Sequence, residues 1–457
     1  MSDDQQDPVV AKVAAKVAAE GNERDEQAGQ AVDRSGESYP QIVWRQFRKN
    51  QFAYYSLWFF LALLLMAIFA PVLASNRPFI YRDTEGFIFP WFRQLFHPED
   101  HADYIFNMAL MGFFPWAIGA AFVNRWERSR GVIGFHRLWH ISVAYFGLVT
   151  ILCAIFAIPA KGGGYVIRPN NSYRTRNFVK EEYEARQANP DAPERWGIYP
   201  PIYFGPTEPD LEARNKPPGF RKAADLKQDL NDTNVHLLGT DGTGRDVLTR
   251  LIYGSRVSMS VGFVAVTIYI TIGIIIGAIA GYFGGYVDML LSRAIEVVLL
   301  FPAFFLILIL VESSGGPNIM IVMFVIGITS WPSIARLIRG EVLKQRSIEY
   351  TTAARALGAK PLRVIFRHVL PNSLSPALVS IPFGISSAII IEASMSLLGF
   401  GVRPPAASWG QFLNEAYYDY NNWWLIFVPS VAIFLTVTTF NLVGAGLRDA
   451  MDPRLRV

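Results

Sequence analysis

Cysteine is almost missing from this chain: Cys153 is the one example in 457 residues, and it lies inside an apolar run. That excludes a disulfide framework and a CxxC metal site. Charge is scarce too. Only 18% of residues are Asp, Glu, Lys or Arg, and the formal charge of +4 is too small to argue for a nucleic-acid partner. The first 50 residues are polar and no apolar run precedes Phe52, so a cleavable signal peptide is not expected. Gly-x-Ser-x-Gly, HExxH, the Gly-Lys-Ser/Thr ending of a phosphate loop and any workable triad spacing are all lacking. The chain is therefore not expected to be an enzyme, to hold a metal or to use a cofactor.

What is present is apolar length. Half of the residues are apolar, and the charges fall in blocks between long apolar runs, the pattern of a polytopic membrane protein. Residues 1–50 read as a disordered cytoplasmic tail, poor in aromatics over the first 40, and Arg45, Arg48 and Lys49 just before the first span favour a cytoplasmic N-terminus. The first span is 52–74. A transmembrane hairpin follows at 104–160, from Tyr104–Val123 and Leu138–Ala160, whose link carries Arg125, Arg128, Arg130 and Arg137 against Glu127. Residues 161–257 form a long external segment, dense in Pro and Gly and expected to be extended and turn-rich. Five further spans are expected at Ser258–Tyr282, Ala294–Glu312, Asn318–Ile334, Leu374–Phe400 and Trp424–Leu447. Eight crossings place both termini inside.

Several local features carry expectations of their own. Gly273, Gly277 and Gly281 share one helix face and permit close helix approach. Thr243 and Asp246 have capping-box spacing, and Asp246 and Arg250 can pair at i, i+4. Asp288, Arg293 and Glu296 cluster at the inner end of the third core span as an interfacial charge network. His97 and His101, and His136 and His140, have ligand spacing, but the topology puts the pairs on opposite membrane faces, which favours interfacial histidines over a metal site. Glu392, toward the outer end of a span, either lies on a translocation route or gate with Ser394, or is buried and hydrogen-bonded to Ser394 or a backbone bend.

The stretch 349–371, EYTTAARALGAKPLRVIFRHVLP, is polar and basic between apolar spans. The loop at 335–371 has eight Lys or Arg against two Glu up to Arg367, which places it in the cytoplasm. Ala353, Ala354 and Ala356 favour a helix, Gly358 offers a C-cap and Pro361 the start of a second helix. Arg355, Lys360, Arg363 and Arg367 keep it wet, while Val364, Ile365 and Leu370 need an apolar cover.

This stretch resembles the EAA loop of ABC-importer membrane subunits. Ala353, Ala354, Gly358, Leu370 and Pro371 match that pattern at the right spacing. Thr352 stands where the pattern has Glu, with Glu349 nearby as a substitute, and His368 stands where it has Ile. HLLGTDGTGRDVLTRLIYGSR at 236–256 and EASMSLLGFGVRPPAASWG at 392–410 resemble segments of the oligopeptide and dipeptide permeases. PPIYFG at 200–205 is nearest to microcin C-type peptide permeases. The resemblance implies an all-α type I permease core of six helices, its domain at 258–449, with the 104–160 hairpin as an addition. It implies that Glu349, Thr352, Ala353, Ala354, Arg355, Gly358, His368, Leu370 and Pro371 couple the chain to an ATPase. The implied partners are a second homologous permease, two cytoplasmic ATP-binding subunits, an extracytoplasmic peptide-binding protein and the lipid bilayer, with no nucleic acid. Two rivals remain open: an ion-coupled secondary transporter using Glu392, and a membrane-embedded metallohydrolase.

Overall fold

A computed structural model of the chain describes residues 39–83, 86–95, 105–113, 196–221, 235–316, 318–404, 406–418 and 421–452, with isolated positions between 101 and 165. Most of the expected tail and most of the expected 104–160 hairpin lie outside these residues, as do the four paired histidines and the Arg-rich link apart from Arg125. Within the hairpin, 105–113 is helical.

The chain enters through α1 (Tyr39–Lys49) and α2 (Gln51–Ile68), and resumes with the long α3 (Val247–Phe283). Then come α4 (Gly285–Leu300), α5 (Ala303–Ser313) and α6 (Ile319–Arg346). A polar double helix follows, α7 (Glu349–Ala356) and α8 (Pro361–Val364), before α9 (Ser375–Leu397), α10 (Trp409–Tyr418) and α11 (Trp423–Met451). Among the described residues, α2, α3, α6, α9 and α11 are long and apolar enough to cross a membrane. The pair α4–α5 makes a sixth crossing if counted as one span, bent by 86°.

That bend corrects the expectation of a straight span over Ala294–Glu312. Pro302 has no N–H to continue the ladder, and it drives Phe301 into an extended conformation (φ −82°, ψ 132°). A second correction concerns α3. The expected span began at Ser258 with a separate helix before it, but the two are one helix of 37 residues. At about 1.5 Å per residue it runs roughly 55 Å, well beyond a bilayer core of about 30 Å. Its first three turns therefore exceed what a span needs, and they are largely buried.

The glycine face of α3 packs on α6 as the spacing implies. A Cβ on Gly277 would sit 2.5 Å from the Ala335 carbonyl oxygen, and one on Gly281 would sit 2.8 Å from that of Arg339. Backbone oxygen cannot step aside as a flexible side chain can. Gly277→Val is expected to cost about 1–3 kcal/mol or more through overpacking. The measurement is the unfolding midpoint of the detergent-solubilised protein. Gly340→Ala, where an added Cβ meets nothing within 4 Å, should leave that midpoint unchanged or raise it.

One end of the bundle collects the outer elements. β1 (Ile80–Asp83), β2 (Gly86–Ile88) and β3 (Trp196–Ile198) form an antiparallel sheet in the order β2-β1-β3, with Tyr81 opposite both Ile88 and Gly197. The Pro-rich run after β3 is extended and turn-like, as expected. The opposite end holds α1, the start of α9 and the ends of α3, α6 and α11. Phe47 of α1 packs with Ala450, and Arg448 lies 5.1 Å over the Phe383 ring. The double helix 349–371 sits at this same end, because it follows directly on α6.

Candidate functional site

The knob at 349–371 is built by its own sequence. α7 ends in a Schellman motif: Gly358 N–H donates to Arg355 O at 3.0 Å, and Ala359 N–H donates to Ala354 O at 3.1 Å. Gly358 has φ +77°, a conformation glycine adopts without penalty. Pro361 then opens α8 at its first position. Residues 365–369 widen into a π-turn, with Leu370 N–H reaching back to Ile365 O. The cause is Pro371, whose ring would clash with the Arg367 carbonyl in an unbroken α-helix.

One face of this unit is sealed. Val364, Ile365 and Val369 are buried, and Leu370 packs against the same cluster, which includes Tyr282, Ile338 and Val342. Val364, Ile365 and Leu370 are the residues expected to need cover, and Val369 joins them. Polar ties hold the unit to α6. Thr351 Oγ1 donates to Gln345 O and Arg355 Nη2 donates to Arg346 O, each at 2.9 Å, and within the unit Asn372 Nδ2 donates to His368 O at 2.8 Å. Thr352, at the position of the missing Glu, turns its hydroxyl back to Glu349 O at 2.8 Å. Glu349 lies in the first turn of α7 and is exposed.

The opposite face is open and apolar. Leu357 is 88% exposed, and Leu362 and Phe366 are each 65% exposed. Arg355, Lys360, Arg363 and Arg367 are exposed around them. Motif matching singled out Ala353, Ala354, Gly358 and Pro371, which shape the unit. It missed Leu357, Leu362 and Phe366. The signal was available: three large apolar residues in a polar stretch that the buried set Val364, Ile365 and Leu370 does not use.

At the end of the bundle away from the knob lies a layer of buried charge. Asp241 accepts from Thr243 N at 2.8 Å, Thr243 Oγ1 at 2.7 Å, Arg245 N at 3.0 Å and Arg245 Nε at 2.8 Å, and it also pairs with Arg250 Nη1. Arg250 is fully buried and reaches Glu415 on α10 through both terminal nitrogens, at 2.8 and 2.9 Å. Its guanidinium lies 4.5 Å over the Phe412 ring. Arg245 joins the same Glu415 at 2.9 Å. The expected pairing of Asp246 with Arg250 is not made. Asp246 is itself the N-cap of α3, accepting from Thr249 N at 2.7 Å, and its other oxygen lies 2.9 Å from His236 Nδ1. Thr243 Oγ1 serves Asp241 instead of a capping box. The glycine-rich stretch thus locks α3 to α10.

Arg256, also fully buried, closes the outer end of α2. It donates to the Ala67 and Ile68 carbonyls at 2.6 and 3.1 Å, and to Asp103 and Asn107 at 2.9 Å each. Those carbonyls form the negative end of the α2 dipole, where a cation is favoured. Asp103 and Asn107 lie at the start of the helical stretch 105–113, so Arg256 also ties that stretch to α2 and α3. Sequence reading gave no role to this residue.

Glu392 is fully buried on α9. It accepts from Ser396 Oγ at 2.7 Å and Ser258 Oγ of α3 at 3.4 Å, and Ser408 adds a third hydroxyl. Ser394, the expected partner, turns its hydroxyl to Ile390 O at 2.8 Å. Ser394 instead lines an apolar cavity of about 360 Å³ between α9, α10 and α11, with Leu397, Leu413 and Phe434. Glu392 does not line it. At the inner end, Asp288 pairs across helices with Arg339, at 2.7 Å for one of the two contacts, while Arg293 and Glu296 pair at 2.5 Å on the surface. The expected charge network thus separates into a structural tie and an exposed pair.

Comparison with known proteins agrees with this layout. Residues 273–457 match the model of the binding-protein-dependent transport system inner membrane component, and residues 38–88 match the N-terminal transmembrane domain of oligopeptide transport permease C. The dipeptide transport system permease protein DppC of Escherichia coli K12 is 41% identical over 254 residues, 55% of this chain and 82% of that protein. Its namesake in Alkalihalophilus pseudofirmus is 40% identical over 48% of this chain and 73% of that one. The Bacillus subtilis 168 protein is 39% identical over 50% and 74%. A solved inward-facing methionine ABC transporter covers 44% of this chain and 97% of its own, at TM-score 0.39 and 17% identity. That likeness is too low to add weight to the sequence relatives. The relatives are transport permeases by name, and the family implies, in general terms, an ATPase, a substrate-binding protein and a second permease. With relatives at about 40% identity covered over most of their length, this chain belongs to the binding-protein-dependent transport-system permeases of the inner membrane.

Proposed function

We propose that the chain is one permease subunit of an ATP-driven peptide importer. It forms half of a route across the inner membrane with a second, homologous permease. Two cytoplasmic ATP-binding subunits hydrolyse the nucleotide, and an extracytoplasmic binding protein delivers peptide to the outer end. The carrying observation is the knob at 349–371, sealed to the bundle on one face and open, apolar and ringed by cations on the other. Glu349, Thr352, Ala353, Ala354, Arg355, Gly358, His368, Leu370 and Pro371 are its frame, and Leu357, Leu362 and Phe366 are its grip. ATP-driven closure of the ATPases pulls on this frame. Because α9 follows it directly, the pull passes up α9 to Glu392 and Ser394 near the outer end, where they help set the gate.

The rival ion-coupled transporter would need Glu392 to exchange protons or sodium with water. A carboxyl enclosed by three serines and away from the adjacent cavity does not suit that role. In proteoliposomes holding the full assembly, Glu392→Gln is expected to keep most ATP-driven peptide uptake, because the amide keeps the shape and one acceptor, and a serine hydroxyl can turn to accept from its NH2. Uptake driven by an ion gradient without ATP, and abolished by Glu392→Gln, would sink the importer reading.

A further inference from the structure

A band of aromatic residues circles the cytoplasmic end where α1 meets α2. Phe52, Tyr55 and Trp58 are exposed on the first turns of α2, and Trp44 is exposed on α1, stacked 5.9 Å from Phe47. Amphipathic rings concentrate at the headgroup level of a bilayer. α1 is short and two-faced. Val43 and Phe47 pack against Leu57, Val443, Leu447 and Ala450, while Arg48 and Lys49 are exposed on the side facing away from that contact. Asn50 breaks the chain between the helices and caps α2 by accepting from Ala53 N at 3.2 Å. Its amide nitrogen lies 3.4 Å from Asp449 Oδ2, which engages the nearby acidic group from α11. Arg48 turns toward α2. Its guanidinium lies 5.8 Å over the ring of Tyr54, on the first turn of α2 and level with the aromatic band.

We propose that α1 is an interfacial helix that binds the phosphate of anionic phospholipid headgroups through Arg48 and Lys49, with Trp44 seated among the headgroups beside them. A helix lying in the interface gains from buried apolar area and from attraction of its cations to anionic lipid. Phosphate oxygens accept from the guanidinium and the ammonium, and α1, held by Phe47, keeps both at the depth of that layer. The site is independent of the knob's role.

The test is native mass spectrometry of the permease released from mixed micelles with equal phosphatidylglycerol and phosphatidylcholine. Wild type is expected to retain phosphatidylglycerol preferentially. Arg48→Gln with Lys49→Gln should lose that preference by roughly fivefold per charge removed. Arg48→Lys with Lys49→Arg should keep it, which separates charge from packing. Arg363→Gln, a cation removed from the exposed knob, should also leave it intact. An undiminished preference for phosphatidylglycerol in the double-glutamine variant would overturn the proposal. So would loss of the lipid to millimolar inorganic phosphate, which would mark a free-anion site.

Discussion

Replacing Leu357 and Phe366 together with aspartate is expected to abolish ATP-driven uptake while leaving the permease folded and inserted. Both side chains are largely exposed, and neither contributes to a buried cluster, so the isolated chain loses nothing by the change. In the assembly each would be covered by the partner. Burying a Leu or Phe is worth about 1.5–3 kcal/mol, and forcing an unpaired carboxylate into the same place adds a further penalty. The two together should weaken the ATPase contact by roughly a hundredfold or more. The expected result is loss of ATPase co-purification and of peptide uptake, with wild-type amounts of permease in the membrane. Gly358→Pro should have the same functional result by a different route. Proline cannot adopt φ +77° and lacks the N–H that reaches Arg355, so the turn opens and the apolar face loses its shape. Normal uptake by either variant would refute the coupling role.

Arg250→Met should have the largest effect at the outer end. It leaves the buried Asp241 and the half-buried Glu415 with Arg245 as the one cation they still share. Breaking a buried ion pair from one side costs about 3–5 kcal/mol. The pH dependence follows from Asp241. Burial by itself would raise its pKa, but Arg250 and Arg245, with the Thr243 hydroxyl and the Arg245 backbone, outweigh burial and hold it below the usual carboxylate value. A depressed folded pKa contributes stability that is present above the unfolded value of about 3.9 and is lost as pH falls through the folded value. Wild type should therefore keep its outer layer down to strong acid. Arg250→Met should loosen at milder pH, because only Arg245 and the Thr243 hydroxyl then oppose burial and the Asp241 pKa rises from its wild-type position. Thermal unfolding of the solubilised protein at several pH values reads both effects. A variant as stable as wild type, with an unchanged pH profile, would contradict this account of the layer.

The residues that were legible in the sequence are those whose chemistry is local. Gly358 and Pro361 punctuate the knob because their backbone preferences need no distant partner. The glycine face of α3 was legible because a helix period places 273, 277 and 281 in a line. Long-range pairing was not legible. Arg250 has a carboxylate four residues before it, and nothing in the sequence says that Glu415, 165 positions later, wins that contact. Arg256 likewise finds its partners 149 to 189 positions earlier. Pro302 was visible, but hydropathy averages across a bend, so Ala294–Glu312 read as one straight span. Ser396 and Ser394 are both plausible partners for Glu392 by type. The helix period decides, because Ser396 is one turn away at i+4 and Ser394 points elsewhere.

The central claim is that the knob is gripped by a nucleotide-hydrolysing partner on the cytoplasmic side. The direct measurement is cross-linking from Leu357→Cys in a Cys153→Ser background, within sealed vesicles of defined orientation. The account predicts labelling by an impermeant thiol reagent only where the cytoplasmic face is outward, and a cross-linked product containing an ATP-hydrolysing subunit. Labelling from the external face, or a cysteine at 357 that never joins such a subunit in the working assembly, would contradict it.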